Sequence, residues 1–279
     1  MEEKIKPWIN LYLDDKHNLK TKLEYIQKEK NINRVCKKLH VKENSRINQY
    51  IDYMKRNNIY CIPITSKEYP EKLKMLKYPP IMLYAKGNIN ILLENRMIGV
   101  IGSRECTNYG KEIAIKIGKF LAKNNIHVVS GLAIGVDSYS HIGCIKENSI
   151  NKNSGKTIAV IGNGLDNIYP YQNKNIAEEI IKNNGCIISE YIVGTKPLKE
   201  NFPARNRIIS GLSNKLIVVE AKSQKSGTMI TVDFSLNLGK DVLVVPGNIN
   251  SKYSSGTNML IKEGAKIVTS LEDILEDDY

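Results

Sequence analysis

No stretch of the 279 residues approaches the roughly 18 consecutive apolar positions that a membrane-crossing helix needs, and Met1-Glu2-Glu3-Lys4 lacks the basic-then-apolar layout of a secretory signal. A cytoplasmic protein without a membrane partner is the expectation. Cysteine is scarce and scattered. Cys36, Cys61, Cys106, Cys144 and Cys186 are odd in number and never form a C-x-x-C pair, which argues against a disulfide framework and against zinc. They read as small core residues, and the sequence calls for neither a metal nor a cofactor. Phenylalanine is also rare, at three residues, so each one invites a reason for its place.

Acid is in deficit as well: 41 Lys and Arg face 29 Asp and Glu, for a formal charge of +12 and a pI near 9.3. Such a balance suits a polyanionic partner such as nucleic acid. Residues 1–96 hold 20 basic against 11 acidic side chains, and residues 97–271 hold 21 against 13. Both halves are therefore basic once the acidic tail from Glu272 to Asp278 is set aside.

What is present is a change of texture along the chain. The apolar set Ile47, Tyr50, Ile51 and Met54 has helical spacing, with Ser45 placed to cap it, and residues 1–57 read as a small helical domain. Two strand-like runs follow, Tyr60-Cys61-Ile62-Pro63 and Ile81-Met82-Leu83-Tyr84, which read as the connection into a main domain over 58–279. After Asn95, apolar strands alternate with turns and long helices. Strands are expected at 97–101, 126–129, 157–161, 186–189, 216–219, 242–245 and 266–268, with helices at 109–124, 173–183 and 228–238 among those between them. Most strands are apolar on both faces, as in a parallel sheet covered by helices on both sides. The fold class is α/β: an extended Rossmann-like, doubly wound, mostly parallel sheet with a small N-terminal helical domain.

Ligands of such sheets bind beyond the carboxyl ends of the strands. Gly102-Ser103-Arg104 follows the first of these strands: glycine admits an anion to the backbone, serine can donate to it, and Arg104 can grip it bidentately. An ordinary strand-to-helix turn would look the same. Ser130 to Asp137 holds Gly131 and Gly135 around a small-residue loop, but no Walker lysine. Asp137 and His141, spaced i, i+4, suggest a catalytic pair less than a packing pair. Ser226-Gly227-Thr228, preceded by Lys222 and Lys225, suits a helix N-terminus, either as a site or as a plain cap.

The segment 194–207 carries four basic residues, one acid and one phenylalanine. Pro203 can start a helix that Gly211 ends, with Arg205 and Asn206 in its first turn and Phe202 just outside. A nucleobase stacks on such a ring while neighbouring Lys and Arg neutralise phosphates. A ring stapling the helix to the core is the alternative.

Taken in order, GSR at 102–104, SGLAxGxDxxxH at 130–141, GxGLDxxYPxxN at 162–173, SEYxxGxxPxxxNFPARNRIISGLS at 189–213, VVEAxxxxSGTxIT at 218–231, VPG at 245–247 and SxGTNxLIxxGA at 254–265 resemble the DNA-processing protein A family, also called Smf. The resemblance runs from Tyr69 to about Ile274. It implies a Rossmann-like domain that binds single-stranded DNA, dimerises, protects the strand and loads the RecA recombinase during natural transformation, without being an enzyme. Carried across, the family's site falls on Arg104, Lys199 and Phe202, with the glycine-rich turns as pocket wall. The sequence departs from the family at Val136-Asp137-Ser138-Tyr139-Ser140, where alanines usually follow the aspartate. The C-terminal winged helix that many members carry is not expected within these residues.

The rival reading is an enzyme of the lysine-decarboxylase-like group, which cleaves nucleoside monophosphates and uses a PGGxGTxxE turn. The equivalent stretch here puts Thr231 where that glutamate would stand. A nicotinamide dehydrogenase is weaker, because the first turn lacks G-x-G-x-x-G.

Overall fold

Met97 and Ile101 point to one side of their strand and Ile98 and Val100 to the other, and all four are buried. That two-sided burial is what a central strand between helical layers requires. The computed structural model describes residues 2–222 and 226–276. Lys225, named above as a basic neighbour of the third turn, lies outside the described residues, as does the end of the acidic tail.

Nine strands form one sheet in the order β1-β2-β6-β5-β4-β3-β7-β8-β9: β1 (Ile59–Pro63), β2 (Met82–Gly87), β3 (Met97–Ile101), β4 (His127–Ser130), β5 (Thr157–Ile161), β6 (Cys186–Ser189), β7 (Lys215–Val218), β8 (Val242–Val244) and β9 (Lys266–Ile267). β3 to β9 pair in parallel, while β1 and β2 add an antiparallel edge, Tyr84 opposite Ser189. The segment read as a connection thus extends the sheet. Pro63 fits there because an edge strand does not need every N–H in a ladder.

From β3 the chain winds one way through β4, β5 and β6, then returns to lay β7, β8 and β9 on β3's other side. The reversal at β3/β7 is the crevice where a doubly wound sheet binds ligands. One face is covered by α6 (Asn108–Lys123) and α7 (Val136–Ile150), the other by α9 (Asn201–Leu212) and α10 (Gly227–Asn237), with their apolar residues in separate buried clusters. Four N-terminal helices, α1 (Glu2–Leu13), α2 (Leu19–Glu29), α3 (Ile32–Lys38) and α4 (Ile47–Arg56), share a third cluster with α8 (Lys174–Lys182). Tyr12 meets Tyr84 of β2 edge-on at 5.8 Å.

Two local expectations change. Ser45 does not cap α4: the helix starts after Arg46, with no side-chain cap, and Asn44 Oδ1 accepts the Arg46 N–H at 2.9 Å one turn earlier. Pro203 is the third residue of α9, so Phe202 lies inside the first turn, and Gly211 lies inside the helix, which Ser213 closes. Gly211 is needed for close approach, since a Cβ there would sit 2.7 Å from Leu73 Cδ2 of α5 (Glu71–Lys74).

Candidate nucleic-acid interface

At the β3/β7 crevice the loops after the strands surround a cleft of about 720 Å3. Gly102, Ser103, Arg104, Lys199, Phe202, Arg205, Asn206, Ser226, Gly227 and Thr228 all line it, so the three positions carried from the family share one surface with the first and third turns, while the second turn reaches it through Ala133 and Asp137 and not through Gly131 or Gly135.

The turn after β3 is held from below by a residue that sequence reasoning passed over. Glu220, just past β7 and only 2% exposed, accepts the Thr107 N–H at 2.9 Å and the Thr107 hydroxyl at 2.6 Å, while its backbone carbonyl accepts the Ser103 N–H at 2.8 Å. Thr107 in turn caps α6 through the Gly110 N–H. This explains the acid of the VVEA block: it fixes the loop that presents Arg104. The Ser103 amide is therefore spoken for, and the exposed Arg104 side chain carries the turn's reach.

Arg104 stands over Phe202, guanidinium carbon to ring centroid 5.6 Å, and Tyr169 approaches the same ring at 5.7 Å and 40°. Beneath it, a Cβ on Gly162 would be 3.2 Å from Phe202 Cδ1, so the ring rests on the backbone there. Both readings of Phe202 thus hold in part: it is half-buried against Gly162, yet it borders the cleft beside a cation. Tyr169, 47% exposed, joins it as a second aromatic, and its signal was the Tyr-Pro of the GxGLDxxYP block. Lys199 is exposed on the lip, on the segment leading into α9. Lys222 is also on the lip, paired with Glu105 at 2.5 Å.

The glycine loop after β4 works one layer back. Gly131 gives its N–H to Asp137 Oδ2 at 3.1 Å, so that amide is not offered to the cleft. Its missing side chain matters more, because a Cβ would fall 1.6 Å from Arg205 Nη1. Gly135, at φ 88°, runs against the Ser103 and Arg104 carbonyls, where a Cβ would come within 2.6 Å. Asp137 and His141 do not bond each other: His141 Nδ1 meets Thr157 Oγ1 at 2.5 Å. Burial raises the Asp137 carboxyl above its usual range, against the pull of Arg205, and drives the His141 imidazole down to about 3.

The two arginines of α9's first half differ. Arg207 makes a bidentate pair with Glu190, both contacts at 2.6 Å, and its Nε donates to the Tyr78 carbonyl. Arg205, expected near the strand ends in the first turn, is a turn further on and only 4% exposed. Asn206 Nδ2 donates to the Gly227 carbonyl at 3.3 Å, tying α9 to the start of α10. Ser226 stands at the cap position of α10 but makes no cap bond, which corrects the plain-cap reading. No group of three or more metal-ligating side chains occurs among the described residues, and no described helix is long and apolar enough to cross a membrane.

The sequence is 42% identical to the DNA processing protein DprA of Bacillus subtilis over 80% of this chain and 72% of that one. It is 43% identical to the Streptococcus pneumoniae DprA over 75% and 71%. The X-ray structure of DNA processing protein A from S. pneumoniae superposes with a TM-score of 0.80 at 32% identity, covering 98% of this chain and 97% of that one. A Helicobacter pylori DNA processing protein A, described for its single-stranded DNA binding mode, superposes at 0.69 and 32% identity, covering 78% and 94%. The model of one family matches residues 60–278, nearly the whole sheet and every turn of the cleft, and the chain belongs to that family, DNA recombination-mediator protein A.

Proposed function

We propose that this protein binds single-stranded DNA in the β3/β7 cleft, without sequence preference, and acts as a binding protein rather than an enzyme. The observation that carries the reading is the convergence of Arg104, Lys199 and Phe202, from two separate segments, on one cleft with Tyr169 and the start of α10. An aromatic plate stacks any base, and flanking cations neutralise phosphates. The H. pylori relative, 32% identical, supports the same ligand class. On this reading the protein is cytoplasmic and homodimeric, protects the incoming strand and loads RecA during natural transformation. The chain divides into a small helical region, 1–57, and a main domain, 58–279, against which the helices pack through a shared apolar cluster.

A nucleoside-monophosphate hydrolase would need an acid near position 231. Thr231 lines the cleft, and the Glu220 carboxylate, which is not among the lining residues, is held by Thr107. Release of free base from nucleoside monophosphates would reverse the assignment. The direct test is fluorescence anisotropy with single- and double-stranded oligonucleotides, wild type against Arg104→Ala and Phe202→Ala, followed by RecA filament assembly with and without the protein. Preference for the single strand and weaker binding by both variants are expected, with faster RecA assembly. Equal affinity in all three proteins would remove the cleft from the reading.

A further inference from the structure

Arg205 is a buried cation that no described residue hydrogen-bonds, its charge offset only at a distance by Asp137. Among the described residues no hydrogen bond reaches its guanidinium, no carboxylate comes within ion-pair distance, and its Nε and Nη1 are fully enclosed. The contrast with Arg207, two residues away, excludes a general looseness of this helix. Buried polar groups are almost always bonded, and a buried charge left alone is the most costly case. The guanidinium lines the cleft below the exposed Arg104, and Asp137, the acid that influences it most, spends its carboxylate on its own glycine loop.

A second orphan faces the same space. Ser226 Oγ is enclosed and has no partner among the described residues, although it stands at the cap position of α10. It opens an 11-residue helix whose first amides lie beside Gly227 and Thr228 on the cleft wall. Among the described residues, nothing lies within 4 Å of where a Cβ on Gly227 would be, which leaves the approach open on their side. Two enclosed donor groups and a helix N-terminus then lack the same thing, an oxyanion.

We propose that Arg205, Ser226 and the N-terminus of α10 form a phosphate seat on the cleft floor, separate from the base-stacking rim of Arg104, Phe202 and Tyr169. The seat rests on the single-strand reading only in assigning its phosphate to a DNA strand. That phosphate is either a backbone diester or a strand-end monoester, and both present the same oxygens. Arg205 acts as a binding residue, tightened by its dry surroundings, while Arg104 and Lys199 meet the strand at the surface.

The experiment uses the full chain and inorganic phosphate as the first probe, against chloride at matched ionic strength. Phosphate raises the thermal midpoint of wild type, and Arg205→Gln and Ser226→Ala each lose most of that shift while melting cooperatively. Oligonucleotides ending in 5′-hydroxyl, 5′-phosphate or 3′-phosphate form the second arm. Arg205→Gln weakens all of them about tenfold if a backbone diester fills the seat, or removes only the advantage of one phosphorylated end if a monoester does. The seat is overturned if phosphate protects wild type no better than chloride, or if both variants keep the shift. Oligonucleotide binding by wild type together with those results leaves the single-strand reading standing without the seat. Phosphate protection lost in the variants, with no oligonucleotide binding, keeps the seat and removes the reading.

Discussion

Arg205 and Arg207 belong to one short motif and one helix, yet the fold uses one and leaves the other. Arg207 turns toward Glu190 and the Tyr78 carbonyl, closing α9 onto the segment after β6. Arg205 turns under the glycine loop, where Gly131 makes room for it and no described residue accepts the protons of its Nε and Nη1. The difference separates residues that hold the cleft's walls from residues that wait for what enters it. Glu220, Thr107, Asp137 and His141 fall with Arg207, and Arg104, Phe202 and Lys199 fall with Arg205.

Breaking the wall side should cost stability first. The side chains of Arg207 and Glu190 are 12% and 13% exposed, and removing one partner of a buried pair costs about 3–5 kcal/mol. Arg207→Ala should therefore lower the denaturation midpoint sharply, while Arg104→Ala leaves it almost unchanged. A variant of Arg207 that lost DNA affinity at full stability would erase the distinction.

His141 tests the same layer by pH. Burial, helped by the Arg205 charge, holds its folded-state pKa at about 3, against 6.5 for the free side chain. Above 6.5 both states are neutral and the contribution is complete. As pH falls from 6.5 toward 3, only the unfolded chain takes the proton, so stability declines over that window, by on the order of 5 kcal/mol at 1.4 per unit. Chemical denaturation against pH should show this slope in wild type and a flatter one in His141→Gln. In Arg205→Gln the imidazole pKa should rise, because one cause of its depression is gone.

On the ligand side, Phe202→Ala should weaken single-strand binding by about 1–3 kcal/mol, the usual worth of one stacked base. Gly162 supports the ring from behind, so some stability will also be lost. Comparing the two losses with Phe202→Leu, which keeps the packing and removes the plate, separates them. Thr107→Ala acts through position alone: loss of the cap and of the hydroxyl bond to Glu220, with the backbone N–H bond kept, should cost about 1 kcal/mol of stability. Its effect on affinity should be smaller than that of Arg104→Ala.

How much of this could be read from the sequence follows the range of the interactions. Strands buried on both faces announce themselves as apolar runs, and β3, β5 and β6 begin and end where those runs do. The pairing of β2 with β6 joins residues about a hundred positions apart, and no local pattern specifies it. The cleft's rim was legible because Arg104, Lys199 and Phe202 stand in distinctive blocks. The floor's residues were legible too, Arg205 and Ser226 being candidates already, but its depth was not, since an arginine beside a helix start reads as exposed, and only the packing of Gly131 against it reveals its burial. Glu220 was missed because a lone acid after a strand has no spacing to mark it.

The smallest effect belongs to the lip, where the two sides of the comparison meet. Lys222 borders the cleft like Lys199, yet it is already paired with Glu105 at 2.5 Å, so a phosphate must compete with that carboxylate for it. A cation that neutralises one phosphate contributes about one to the dependence of log affinity on log salt. Arg104→Ala should reduce that slope by about one, whereas Lys222→Ala should reduce it by clearly less, because part of its charge is spent before DNA arrives. Glu105→Gln frees the lysine, and anisotropy across a salt series should then show tighter binding at low salt, by about twofold, with a steeper slope. If the slope stays as in wild type, Lys222 meets no phosphate even when freed of the carboxylate, and belongs with Arg207 among the residues that shape the cleft.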